Sequence, residues 1–121
     1  MPLRTLIVDD SALFRAAART ILDGSEFSVV GEAANAGEAM RRAEELDPEI
    51  ILLDIDLGED SGFAVARQVT GRPNGARARL ILISIHPEDR FAELIAESPA
   101  VGFLAKSDLS ADRLAALLGR H

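Results

Sequence analysis

The sequence contains no cysteine, and of its 13 basic residues only Lys106 is a lysine. The first absence excludes a disulfide framework and any thiolate metal site. The second singles out one ammonium group in a chain that otherwise uses arginine. No apolar run approaches the roughly 20 residues of a membrane span. The N-terminus lacks the charged-then-apolar layout of a signal peptide. Together these predict a cytoplasmic protein without a membrane partner. Positive charge in excess is missing too. The net charge is −7, whereas nucleic-acid binding draws its affinity from cations facing phosphates, so direct nucleic-acid binding by this chain is not expected. What remains is an ordinary globular composition, 48% hydrophobic and 27% charged. A length of 121 residues suits one domain over residues 1–121, with a core that needs no staples and no effector domain alongside.

Short β-type runs alternate with helical stretches. Strands are expected at Leu3–Val8, Phe27–Val30, Glu49–Leu53, Leu80–Ile85 and Val101–Ala105. The first helix follows Ser11 as N-cap, with Leu13, Ala17 and Ile21 on its inner face, and ends at Gly24. Asn35 caps the second, whose inner face is Ala39, Ala43 and Leu46 and which Pro48 stops. After a loop from Gly58 to Gly62, a third helix runs from Phe63 to Gly71. A polar loop covers Arg72 to Ala78. The fourth helix has Pro87 in its first turn, Glu88 and Asp89 at its positive end, and Phe91, Leu94 and Ile95 inward. Ser110 caps the fifth, with Leu114, Leu117 and Leu118 inward. Five βα units imply an α/β fold: a parallel sheet with helices on both faces and right-handed crossovers.

In such sheets ligands bind beyond the carboxyl ends of the strands. Asp9 and Asp10 follow the first run, Asp54 the third and Ser84 lies at the end of the fourth. Lys106 follows the fifth. Taken alone, an acid before a helix is a cap or a dipole partner, Ser84 a strand-end hydroxyl, and Lys106 a surface lysine. Taken together they make a demanding set. Three carboxylates in one crevice repel and hold protons unless a cation compensates. Mg²⁺ is the natural compensator, since it is hard, binds oxygen and keeps several waters. Lys106 adds a compact positive charge suited to one phosphate oxygen.

This pattern resembles the receiver domains of two-component response regulators. The matching residues are Asp9-Asp10, Asp54, Gly62, Ser84, Phe103 and Lys106, and the resemblance covers the whole length. The run from Gly102 to Ser107 resembles receivers attached to LuxR/NarL-type helix-turn-helix domains. The resemblance implies a flavodoxin-like, doubly wound (βα)5 sheet of strand order 2-1-3-4-5. It implies that Asp54 accepts a phosphoryl group from a sensor histidine kinase or a small-molecule phosphodonor. Asp10, Asp54 and the backbone carbonyl of Asp56 would bind Mg²⁺, with Asp9 acting through water. Ser84 and Lys106 would hold the phosphoryl oxygens. Ser84 would swing inward and leave space for Phe103, reporting the change to the surface of the fourth helix, fifth strand and fifth helix. The chain would signal without turning over an external substrate. A receiver homodimer is admitted.

Four positions depart from the family pattern. Phe103 stands where many receivers have tyrosine, so switching rests on packing alone. Ile85 is bulky where a small residue is usual, and it is expected to crowd the site and slow both gain and loss of phosphate. Ser107 and Gly58 each stand where a proline is common. His86, two residues past Ser84, is either a group titrating near neutrality beside the site or an exposed residue at a helix start. Phe14 is either a kinase-docking contact or a core-facing residue. Three rival functions share parts of this pattern. Asp54-Ile55-Asp56 resembles the aspartate pair of haloacid-dehalogenase-type phosphatases, but it follows the third strand and lacks the following hydroxyl. A phosphorylation-independent interaction module is kept open by Ile85. A nucleotide-binding domain lacks its glycine fingerprint after the first strand.

Overall fold

Ile50–Leu53 and Leu80–Ile83 are apolar at every position, and strands of that kind need cover on both faces. They receive it. The computed structural model describes residues 2–71 and 78–119. Its elements are β1 (Leu3–Val8), α1 (Ala12–Leu22), β2 (Phe27–Ala33), α2 (Ala36–Leu46), β3 (Ile50–Asp54), β4 (Asp56–Leu57), β5 (Asp60–Ser61), α3 (Gly62–Thr70), β6 (Arg79–Ser84), α4 (Ala92–Glu97), β7 (Gly102–Ala105) and α5 (Ala111–Leu117). The loop expected over Arg72 to Ala78 falls, except for Ala78, outside the described residues.

One five-stranded parallel sheet has the order β2-β1-β3-β6-β7. With the two short strands set aside, this is the expected order 2-1-3-4-5. Alternation splits the central strands between two core layers. Leu6, Val8, Ile51, Leu53, Leu80 and Leu82 face the layer that α2 and α3 cover. Ile7, Ile50, Leu52, Ile81 and Ile83 face the other, with Ala18, Leu22 and Leu114 from α1 and α5. Burying each such Leu or Ile contributes about 1.5–3 kcal/mol relative to exposure.

Three expected caps form. The Phe14 N–H donates to Ser11 Oγ (3.2 Å), the Glu38 N–H to Asn35 Oδ1 (2.9 Å) and the Arg113 N–H to Ser110 Oγ (3.0 Å). Helix α2 stops where Asp47 turns left-handed (φ 44°) before Pro48. The Arg4 guanidinium on β1 donates to the Leu46 and Asp47 carbonyls, placing positive charge at the negative helix end.

Two expected helix faces are wrong. On α1 the inward residues are Phe14, Ala18 and Leu22, while Leu13 is 85% and Ile21 44% exposed. The helix carries two apolar stripes one residue apart. The stripe that packs includes Phe14 and leaves Arg15 and Arg19 on the flank beside β2. The fourth helix is also shorter than expected. Pro87 precedes a 3-10 turn over Glu88–Phe91, and α4 itself has six residues. Phe91 and Ile95, one turn apart, pack on the core, which rotates Leu94 outward.

The segment after β3 is a hairpin rather than a plain loop, with Asp56 opposite Ser61 and Leu57 opposite Asp60. Gly58 has φ +72° and Glu59 has no positive φ, the pattern of a type II′ turn. A proline, held near φ −65°, does not fit there, so glycine at this position follows from the turn. Gly62 answers a different constraint. A Cβ there would lie 2.6 Å from Ile55 Cα and 2.7 Å from Ile55 O, and closer still to the Asp54 carbonyl. Gly62→Ala should therefore lower unfolding stability by roughly 1–3 kcal/mol, the usual cost of overpacking. An unchanged denaturation midpoint would contradict this.

Candidate functional site

The parallel registers bring the ends of β1, β3, β6 and β7 to one edge. Val8 pairs with Leu53, Asp54 with Ile83, and Ser84 with Ala105. Asp9, Asp10, Asp54, Ser84 and Lys106 therefore all lie at this edge. One carboxylate oxygen from each of Asp9, Asp10 and Asp54 lies within 4.8 Å of the other two.

Asp9 is fully buried and held at every polar atom but one. Its N–H donates to the Ala33 carbonyl (2.9 Å). Its carbonyl accepts from Arg15 Nη1 (2.6 Å), and Oδ1 accepts the Ser11 N–H (2.8 Å). Oδ2 lies 2.6 Å from Lys106 Nζ. That contact is an ion pair without hydrogen-bond alignment, and among the described residues Oδ2 has no aligned donor. Asp54, also buried, accepts the Asp56 N–H at Oδ1 (3.0 Å) and Lys106 Nζ at Oδ2 (3.1 Å). Asp10 is exposed.

Burial pushes the Asp54 carboxyl above the usual aspartate range. The Asp56 N–H opposes that rise, the Asp9 charge adds to it and Lys106 opposes it. For Lys106, burial works against the charge, but the contacts with Asp9 and Asp54 outweigh it and its pKa rises. One ammonium thus stands between two buried acids, and an incompletely aligned carboxylate oxygen faces the same pocket. Three carboxylates form an all-oxygen donor set, which fits a hard divalent cation.

Other expected site residues fall around this centre. Ser84 is buried, and its Oγ accepts the His86 N–H (2.9 Å). Ile85 is 77% exposed. His86 is half-buried. Its ring meets Phe91 edge-on, and Arg90 Nη1 lies 3.4 Å from Nδ1. Phe103 already lies inward in the α2–α3 layer, so its burial does not await a movement of Ser84. The Asp56 carboxylate accepts the Gly58 N–H (3.3 Å), a turn contact. Phe14 packs half-buried on the α1–α5 layer, and Lys106 Nζ lies 4.5 Å from the centre of its ring.

Four supporting residues had not been expected. Arg15 and Arg19 both bind Glu32 at the end of β2, and the same Arg15 holds the Asp9 carbonyl. Asp60 Oδ2 accepts the Ala36 N–H (3.1 Å), tying the hairpin after Asp54 to the start of α2. The first network has a visible signal, two arginines one helical turn apart and an acid in the neighbouring strand. The second depends on the hairpin and has none.

The family model for the response regulator receiver domain matches residues 5–118. The chain belongs to that family. The receiver domain is 31% identical over 112 residues to the transcriptional regulatory protein YdfI of Bacillus subtilis, covering 92% of this chain and 51% of that protein. It spans about half the length of that curated relative. Among solved structures, it superposes on a LuxR-family two-component response regulator from Aurantimonas with TM-score 0.84 and 32% identity, covering 100% of this chain and 89% of that one. A response regulator from Burkholderia pseudomallei, solved with a phosphorylated aspartic acid, a calcium ion and citrate, matches at TM-score 0.82 and 26% identity over 95% of this chain and 66% of that one.

The shifted carboxyls of the receiver domain carry opposite pH signatures. Folded Asp54 keeps its proton to higher pH than the unfolded chain does, so stability falls as pH rises through that window. Asp54→Asn should raise the melting temperature at neutral pH without divalent cation, with the gap narrowing in acid. The Arg19 bond leads in holding the Glu32 carboxyl below its usual range; burial opposes this and Arg15 adds to it. Its contribution is present at neutral pH and lost as pH falls through the lowered value. Glu32→Gln should lose stability at neutral pH and match the wild type in acid. Melting curves at both ends of this range check each variant.

Proposed function

We propose that Asp54 is a phosphoacceptor, receiving a phosphoryl group from the phosphohistidine of a sensor kinase or from a small phosphodonor. One juxtaposition carries this: a buried carboxylate with Lys106 Nζ at 3.1 Å, beside two further acids at the carboxyl edge of the sheet. The phosphorylated aspartic acid and calcium ion of the Burkholderia regulator support it. In the transfer an Asp54 carboxylate oxygen forms a bond to phosphorus as the bond from phosphorus to the donor's leaving atom breaks. That atom, nitrogen in a phosphohistidine or phosphoramidate, departs with the bonding pair. Such transfer asks mainly for positioning and for charge compensation on the equatorial oxygens. Lys106 supplies one positive charge for those oxygens. Asp10, Asp54 and the Asp56 carbonyl would hold Mg²⁺, with Asp9 reaching it through water. When bound, the ion neutralises negative charge on the acids and the phosphoryl group. Burial and the neighbouring Asp9 charge both disfavour the Asp54 carboxylate, and a cation beside the three acids would offset them.

Phosphorylation replaces a monoanion with a more highly charged group. Ser84 turns its hydroxyl towards that group, and Phe103 repacks beside it. The surface formed by α4, β7 and α5 is then the output. The domain signals from the cytoplasm to an effector, a partner or a second copy of itself. It does not turn over an external substrate.

Intact-mass measurement after incubation with phosphoramidate tests this directly. Wild type should gain one phosphoryl group only with Mg²⁺, and Asp54→Asn should gain none. Equal labelling of the two proteins would reassign the acceptor, and an unlabelled wild type would favour a phosphorylation-independent interaction module. Ile85→Ala, which removes bulk beside Ser84, should be labelled faster than wild type. Equal rates would remove Ile85 as a steric brake.

A further inference from the structure

We propose that Phe14 is a positioning residue for Lys106, its ring forming the third side of a seat for the ammonium. Its part in phosphoryl transfer rests on Asp54 being the acceptor. Lys106 Nζ lies 2.6 Å from Asp9 Oδ2, 3.1 Å from Asp54 Oδ2 and 4.5 Å from the centre of the Phe14 ring. An ammonium has three N–H donors. Two carboxylates and one π face surround it, and only 14% of the side chain is open to solvent. The face of an aromatic ring carries negative potential, and its pull on a cation strengthens as water is removed.

The seat is built from the same turn that holds Asp9. Ser11 donates its N–H to Asp9 Oδ1 and accepts the Phe14 N–H at Oγ. One capping residue therefore sets both the acid and the ring. Phe14 also packs on the α1–α5 core layer, which fixes the ring. This arrangement answers a specific problem. Lysine is a point charge on a flexible stem, and transfer moves negative charge from the Asp54 carboxylate outward onto phosphoryl oxygens. A π face behind the ammonium restrains it without taking up a carboxylate. It keeps the charge in the pocket while its partner changes.

A plain core role for Phe14 makes a different prediction, and fluorination separates the two. Mono-, di- and trifluorophenylalanine at position 14 keep the ring nearly the same size while draining its face of negative potential. The rate of phosphorylation by phosphoramidate in saturating Mg²⁺ should fall with each fluorine, by about three- to tenfold across the series. Phe14→Leu should lose at least as much, while Phe14→Tyr, which keeps a π face, should stay within about twofold of wild type. A flat fluorine series would overturn the positioning role. A second readout needs no phosphorylation. In wild type the Lys106 ε-methylene protons should show an upfield ring-current shift that Phe14→Leu abolishes. Absence of that shift would overturn the seat itself. An unlabelled wild type that keeps the shift would remove Asp54 as acceptor, and with it the role in transfer, while the seat stands.

Discussion

Everything at the carboxyl edge of the sheet depends on one ammonium shared by two buried carboxylates. Removing an ion from water costs several kcal/mol in a protein interior. A pair of unit charges about 3 Å apart recovers roughly 5 kcal/mol at an effective dielectric constant near 20. Lys106 can therefore compensate one buried acid well, but here it faces both Asp9 and Asp54. Burial raises the Asp54 pKa, and the Asp9 charge adds to that rise. The acids at this edge are thus left short of positive charge, an arrangement whose oxygen donors suit a hard divalent cation.

The scaffold holds this imbalance in place by spending apolar burial on both sides of the sheet. The central strands contribute fully buried Leu, Ile and Val side chains, and their register fixes where each strand stops. Asp9, Asp54 and Ser84 are then buried by position rather than by preference. Local hydrogen bonds finish the work. Arg15 links the Asp9 carbonyl to Glu32 on the neighbouring strand. The Asp56 N–H orients Asp54 from the residue two positions on. Asp60 ties the intervening hairpin to α2.

Much of this was legible in the sequence because apolar runs, caps and polar residues at strand ends are short-range signals. The strand order required the family resemblance, since alternation alone does not order a parallel sheet. What was misread has a physical reason in each case. On α1, Leu13-Ala17-Ile21 and Phe14-Ala18-Leu22 are both apolar stripes; the second packs on the core, and that orientation brings Arg15 and Arg19 to Glu32 on β2. In the fourth helix, the 3-10 turn after Pro87 changes the angle per residue and carries Leu94 out. Phe14 was open between docking and core. It packs on the core beside the one lysine in the chain, a contact that joins residues 92 positions apart and has no local signature.

Ser84 carries a further consequence. Its oxygen is already engaged, closing a small ring with the His86 N–H, immediately before Pro87 and the 3-10 turn. Moving that oxygen releases a main-chain donor as well as a side chain. A displacement at the hydroxyl therefore reaches the backbone before it reaches any neighbouring side chain. The first thing such a movement loosens is the entry to the fourth helix.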